Sequence, residues 1–102
     1  MVKKTLIYWR DIPAQVVMQR GRSREKAQLS QRFHEAIDRA AMRAGKGSSD
    51  AYLSEWRRES SVIESGEELL DLANQEISRF EAEYSDERLL ELIRNHGAEA
   101  EK

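Results

Sequence analysis

The sequence predicts a small α+β domain: a three-stranded antiparallel sheet with helices packed on one face, in the order β-β-α-β-α-α. Three observations lead there. Residues 4–19 alternate in two runs separated by a proline-containing turn, the period of paired strands. Residues 24–44 and 69–93 carry apolar side chains at steps of three and four, the period of amphipathic helices. Both helical regions need an apolar surface to cover, and one face of a short sheet supplies it.

In "KTLIYWR", residues 4–10, Leu6 and Tyr8 point one way and Ile7 and Trp9 the other. β-branched and aromatic residues in that alternation suit a strand covered at least partly on both faces. "DIP" interrupts it: Pro13 has no N–H to give a ladder and belongs to a turn or to the edge start of the next strand. Asp11 is placed to bond the turn backbone through its side chain. "AQVVMQ" resumes the alternation, Ala14, Val16 and Met18 against Gln15, Val17 and Gln19, so the two strands form a hairpin.

"RGRSR", residues 20–24, ends the second strand at a glycine, and Ser23 is a candidate N-cap. From about residue 24 to 44, Leu29, Phe33, Ala36, Ile37, Ala40, Ala41 and Ala44 draw one stripe on a helix. Gly45 is its expected left-handed stop. "KGSSD", residues 46–50, reads as a loop. "AYLSEWRRESSVIE", residues 51–64, is poor helical material. An extended third strand over about 53–63 with Trp56 facing inward fits it better, and a short helix at 49–54 leading into that strand is the alternative.

"SGEE", residues 65–68, has the spacing of a capping box between Ser65 and Glu68. It opens a helix to about residue 83 with Leu69, Leu70, Ala73, Ile77, Phe80 and Tyr84 on one face. "SDER", residues 85–88, starts another helix with Ser85 as cap, and Leu89, Leu90, Leu92 and Ile93 are its apolar side. "NHG" closes that helix. Residues 1–96 thus form one domain and 97–102 a frayed polar tail.

The chain has 102 residues, 39% hydrophobic and 35% charged, with no cysteine and one proline. That length suits one self-sufficient core, and the high charge demands long solvated faces. Without cysteine, a disulfide framework, a thiolate metal site and a thiol nucleophile are excluded. No apolar run reaches the length of a membrane span, and the basic start lacks the small-residue cleavage site of a signal peptide. A cytoplasmic protein with no membrane association is expected. Residues 1–50 carry 11 Lys/Arg against 5 Asp/Glu, a balance of +6, and residues 51–102 carry 6 against 14, a balance of −8. Mutual packing of the two halves is the simpler account of this split, and a basic surface for an anionic partner the sharper one.

No set of residues converges on a known reaction. His34 lies mid-helix and His96 at a helix C-terminus, where its cation complements the dipole, and neither joins a metal-ligand motif. The serines have capping or loop positions, and no Gly-rich phosphate loop or nucleophile elbow is present. Catalytic residues, metal ligands and cofactor-binding residues are therefore not assigned, and no enzyme activity or cofactor is expected. Arg20, Arg22 and Arg24 flank Gly21 directly before a predicted helix N-terminus, an arrangement that can hold a phosphate-type anion. Nucleic acid is disfavoured by the acidic total and by the absence of stacking aromatics near these arginines.

Two stretches exceed what folding requires. Trp9, Arg10, Asp11 and Pro13 concentrate an aromatic, an ion pair and a proline in one turn. Trp56, Arg57 and Arg58 combine residue types that dominate interface hot spots, although a Trp so placed also suits a core. Together they form the candidate interaction surface, for a protein partner. The open edges of a three-stranded sheet also suit homodimerisation or strand addition.

With "LIYWRDIPAQV", "RFHEAIDRAAMRAG" and "DAYLSEWRR" in place, the chain resembles a bacterial family labelled "virulence factor" over about residues 4–90. That resemblance implies a small cytoplasmic protein and carries no catalytic residues. It also implies an association with folate- or corrinoid-dependent methyl transfer, hence an accessory subunit of a one-carbon enzyme. A non-catalytic interaction module is thus the expected function, and an anion or nucleotide binder using the Arg-rich loop the alternative.

Overall fold

The computed structural model describes residues 1–45 and 49–99, apart from the side chains of Ser49 and Ala51. Its elements are β1 (Val2–Trp9), β2 (Ile12–Arg20), β3 (Ser23–Gln28), α1 (Gln31–Arg43), α2 (Ser49–Leu53), β4 (Trp56–Ile63), α3 (Leu69–Glu83) and α4 (Asp86–Arg94). The α+β class holds and the sheet is antiparallel, but it has four strands rather than three, in the spatial order β3-β2-β1-β4.

The added strand is β3. Its sequence, SREKAQ, has Ala27 as its one apolar residue, so neither a strand alternation nor a helical stripe marks it. Pairing decides instead: Arg20 faces Ser23 across a two-residue turn whose first residue, Gly21, has φ +58°, a glycine position typical of tight hairpins. Ser23 is therefore a strand residue and not a helix cap. The first helix starts at Gln31, later than the stripe suggested, and Ser30 occupies its N-cap position. Its expected stop is found, with Gly45 at φ +71°.

In the β1–β2 hairpin the register shifts between Ile7 and Tyr8, so that Ile7 faces Gln15 but Tyr8 faces Pro13. Pro13 lies past the end of β3, whose pairing with β2 stops at Gln15. Its missing N–H leaves no gap in that ladder. Residues 49–63 satisfy both alternatives in turn: α2 is the short helix and β4 the strand that follows. Residues 46–48 of the expected loop lie outside the described residues, as do 100–102 of the expected tail.

The capping box at the start of α3 does not form. Ser65 Oγ accepts from the Glu67 amide at 3.1 Å, and Glu68 holds the N-cap position without a side-chain bond. Ser85 does cap α4, its Oγ accepting from Arg88 N at 3.0 Å.

The helices cover one sheet face. Val16 and Met18 of β2, Phe33 and Ile37 of α1, Leu72 and Phe80 of α3, and Leu89 and Leu92 of α4 belong to one buried cluster. Each such large apolar side chain contributes about 1.5–3 kcal/mol when fully buried. An aromatic contact links the layers, Tyr8 meeting Phe80 edge-on at 6.2 Å, and within the helix layer Phe33 meets Tyr84 at 5.7 Å. The opposed charge of the two halves is used in this packing, through the pairs Lys4–Glu76, Arg10–Glu55, Arg32–Glu81 and Arg32–Asp86. No described helix is long and apolar enough to cross a membrane.

Candidate functional site

The β1–β2 turn turns inward. Trp9 is fully buried, stacked on Tyr52 of α2 at 5.9 Å with its Nε1 donating to Tyr52 O at 2.9 Å. Pro13 is buried as well. Neither offers surface to a partner, because the extra aromatic area that singled out the turn is spent on joining α2 to the sheet. Arg10 has a positive φ of 52°. Its backbone N–H donates to Glu55 O, and its guanidinium donates to His96 O at 2.8 Å and to Glu55 Oε1 at 3.2 Å.

Asp11 completes the knot. Its Oδ1 accepts from Arg57 Nη2 at 3.0 Å, and its Oδ2 accepts from the Glu99 amide at 2.6 Å. Asp11 N donates to Gly97 O, and Gly97 is buried against the Trp9 ring. The start of the expected frayed tail, residues 97–99, is thus attached to the turn by backbone bonds. Three segments distant in sequence meet here, so Trp9, Arg10 and Asp11 have structural roles.

Arg57 belongs to the same knot. Its Nε donates to Arg10 O at 2.6 Å, it pairs with Glu59 and its guanidinium lies 4.4 Å from the Tyr8 ring centroid. Burial lowers the Arg57 pKa, but the bonds from Glu59 and Asp11 outweigh it and raise the value above that of a free guanidinium. Burial, with the Glu59 charge, pushes the Tyr8 hydroxyl up to about 12.

Trp56 and Arg58 point elsewhere. The strand registers set Gln28, Gln15, Ile7 and Arg58 side by side in one row, Lys26, Val17, Thr5 and Ser60 in the next, and Arg24, Gln19, Lys3 and Val62 in a third. These rows alternate with those that carry Val16, Leu6 and Met18 toward the helices, so they form the other face of the sheet. Val17 is only 5% exposed but stands apart from the buried cluster under the helices. A depression of about 440 Å³ opens there, lined by Ile7, Gln15, Trp56, Arg57 and Arg58. Trp56 is half-buried at its rim and meets Tyr52 edge-on at 5.8 Å.

Of the seven residues in the candidate interaction surface, the structure brings three to this depression and commits the other four to internal contacts. Ile7, Gln15, Lys3 and Lys26 are among the residues of this face that sequence reasoning did not single out. Their one signal was parity within strands, and β3 was not recognised as a strand.

The Arg-rich loop does not stand directly before a helix, as expected, but before strand β3. Arg20 Nη2 donates to the carbonyls of Ser65 and Glu67 at 2.8 and 2.9 Å, tying the start of α3 to β2. Arg24 is a β3 residue on the uncovered face, and Arg22 is exposed in the hairpin turn. The chain continues from this loop as β3, so the loop does not lead directly into a helix.

His34 Nε2 is buried without a partner among the described residues, and exposed His96 takes φ +59° beyond α4. Among the described residues no three His, Asp or Glu side chains group as metal ligands would. A family model described as virulence factor matches residues 7–93. No curated protein and no solved structure matches the chain.

Proposed function

From the premise that the chain belongs to the virulence factor family, we propose that it is a non-catalytic docking module that binds a protein through the uncovered face of its sheet. One observation supports this above the others. α1, α3 and α4 pack on one face, while the opposite face holds Ile7 and Arg58, which pairs with no described acid, around a depression whose rim is Trp56, half-buried against the core cluster and Tyr52. Tryptophan and arginine beside an aliphatic floor are the composition of interface hot spots. The narrower form of the proposal comes from the resemblance: an accessory subunit of a folate- or corrinoid-dependent methyl-transfer enzyme.

Quantitative affinity purification tests both levels. Wild type is compared with Ile7→Asp and Arg58→Ala on the uncovered face, and with Met42→Ala on the exposed side of α1. The expected result is a group of proteins lost with the first two variants and kept with the third, a methyltransferase among them for the narrower form. Identical profiles for all four proteins would sink the docking face.

A further inference from the structure

We infer that the occupant of the uncovered face is an acidic, amphipathic helix of a partner protein; this rests on the reading of that face as the docking surface. The charge pattern comes first. The four charged side chains in the three rows, Lys3, Arg24, Lys26 and Arg58, are all cationic. The acids of the same strands, Glu25 and Glu59, stand at the opposite parity beside Met18 and Leu6. None of the four cations pairs with a described residue, although the chain pairs Lys4, Arg10, Arg32, Arg57, Arg79 and Arg88 elsewhere. In a chain with net charge −2, the three rows hold no acid among the described residues.

Shape narrows the occupant. Three of the four cations stand at the flanks, Arg24 and Lys26 on edge strand β3 and Arg58 on edge strand β4, while Lys3 shares central strand β1 with Ile7, and Val17 of central β2 is buried. Four strands spaced about 4.8 Å apart place the edge strands roughly 14 Å from one another. A helix about 10 Å across fits between them. Its apolar stripe would lie over Ile7, and its acids would reach the cations on both sides. The opposite face of the same sheet is already covered by helices in this way.

Other occupants match less of this pattern. A second copy laid face to face would set cations against cations. Single-stranded nucleic acid would find phosphate contacts but no ring to stack on within the three rows, since Trp56 lies at the end and is engaged by Tyr52.

Site-specific photocrosslinking tests the inference. The full chain carries p-benzoylphenylalanine at Gln15 or Gln28 on the face, or at Met42 on α1 as control, and is irradiated in its native cells. Adducts are identified by mass spectrometry. The expected adduct from Gln15 and Gln28 is a peptide of net negative charge with apolar residues three and four apart. Its yield should fall roughly tenfold with Lys26→Glu and Arg58→Glu combined, with the circular dichroism of that variant unchanged. Adducts to nucleic acid, to a second copy or to a neutral or basic segment would overturn the acidic helix and keep the docking face. No adduct from either sheet position would overturn the docking face itself.

Discussion

Gly97 lies so close to the Trp9 indole that a Cβ on it would stand 2.8 Å from Trp9 Cζ3. The third residue after α4 must therefore be glycine for two reasons, the space and its φ of +89°. Gly97→Ala should destabilise the protein by about 2–4 kcal/mol, through left-handed strain and overpacking together. Gly21 also has positive φ but open space around it, so Gly21→Ala should cost only about 1–2 kcal/mol. Urea denaturation of the two variants checks the order, and equal losses would refute the packing argument.

The two tryptophans should separate by fluorescence. Trp9→Phe leaves only half-buried Trp56, and its emission should shift to the red and become more accessible to acrylamide. Trp56→Phe leaves only the buried Trp9 and should do the opposite. Trp9→Phe should also cost about 1–3 kcal/mol, because it removes ring volume and the bond to Tyr52 O.

Asp11 and Arg57 join the turn to β4 through a partly exposed pair. A double-mutant cycle with Asp11→Ala and Arg57→Ala should give a coupling of about 0.5–1 kcal/mol. Arg58→Ala, one residue along and without a described partner, should stay within about 0.5 kcal/mol of wild type. A large loss at Arg58 would show that its side chain is part of the fold and not of a free surface.

Acid should weaken the helix layer. Glu76 and Glu81 are partly desolvated, which raises a carboxyl pKa, but their partners win. Lys4 and Arg79 at Glu76, and Ser30 and Arg32 at Glu81, hold both below the ordinary value of about 4.5. The unfolded chain then binds protons first, so this stability is complete above that value and is lost as pH falls through the lowered folded values. Glu76→Gln and Glu81→Gln should each flatten the fall in urea midpoint between neutral and acid pH. Unchanged slopes would remove these pairs as its cause.

Two serines at comparable sequence positions should behave differently. Ser85→Ala removes a formed cap and should cost about 1 kcal/mol. Ser65→Ala removes a bond that precedes α3 by several residues, and thermal unfolding should show a loss of only a few tenths of a kcal/mol. A larger loss at Ser65 would mean that its bond fixes the entry to α3.

Legible in the amino-acid order alone are the elements whose side chains repeat with a clear period. The stripe from Phe33 to Ala41 and the apolar faces of α3 and α4 are visible because burial must recur every three or four residues. The alternation of Leu6 to Met18 likewise exposes the hairpin, and the family resemblance rests on the same strings. β3 was not visible, because six residues with one apolar side chain carry no period, and only pairing with β2 makes them a strand. Nor could local pattern show that Trp9 would be buried or that Asp11 would hold Glu99. Those contacts join residues more than 40 positions apart, and only closure of the fold brings them together. The uncovered face is likewise a tertiary fact: Lys3, Arg24, Lys26 and Arg58 come from three separate strands and become one surface through register alone.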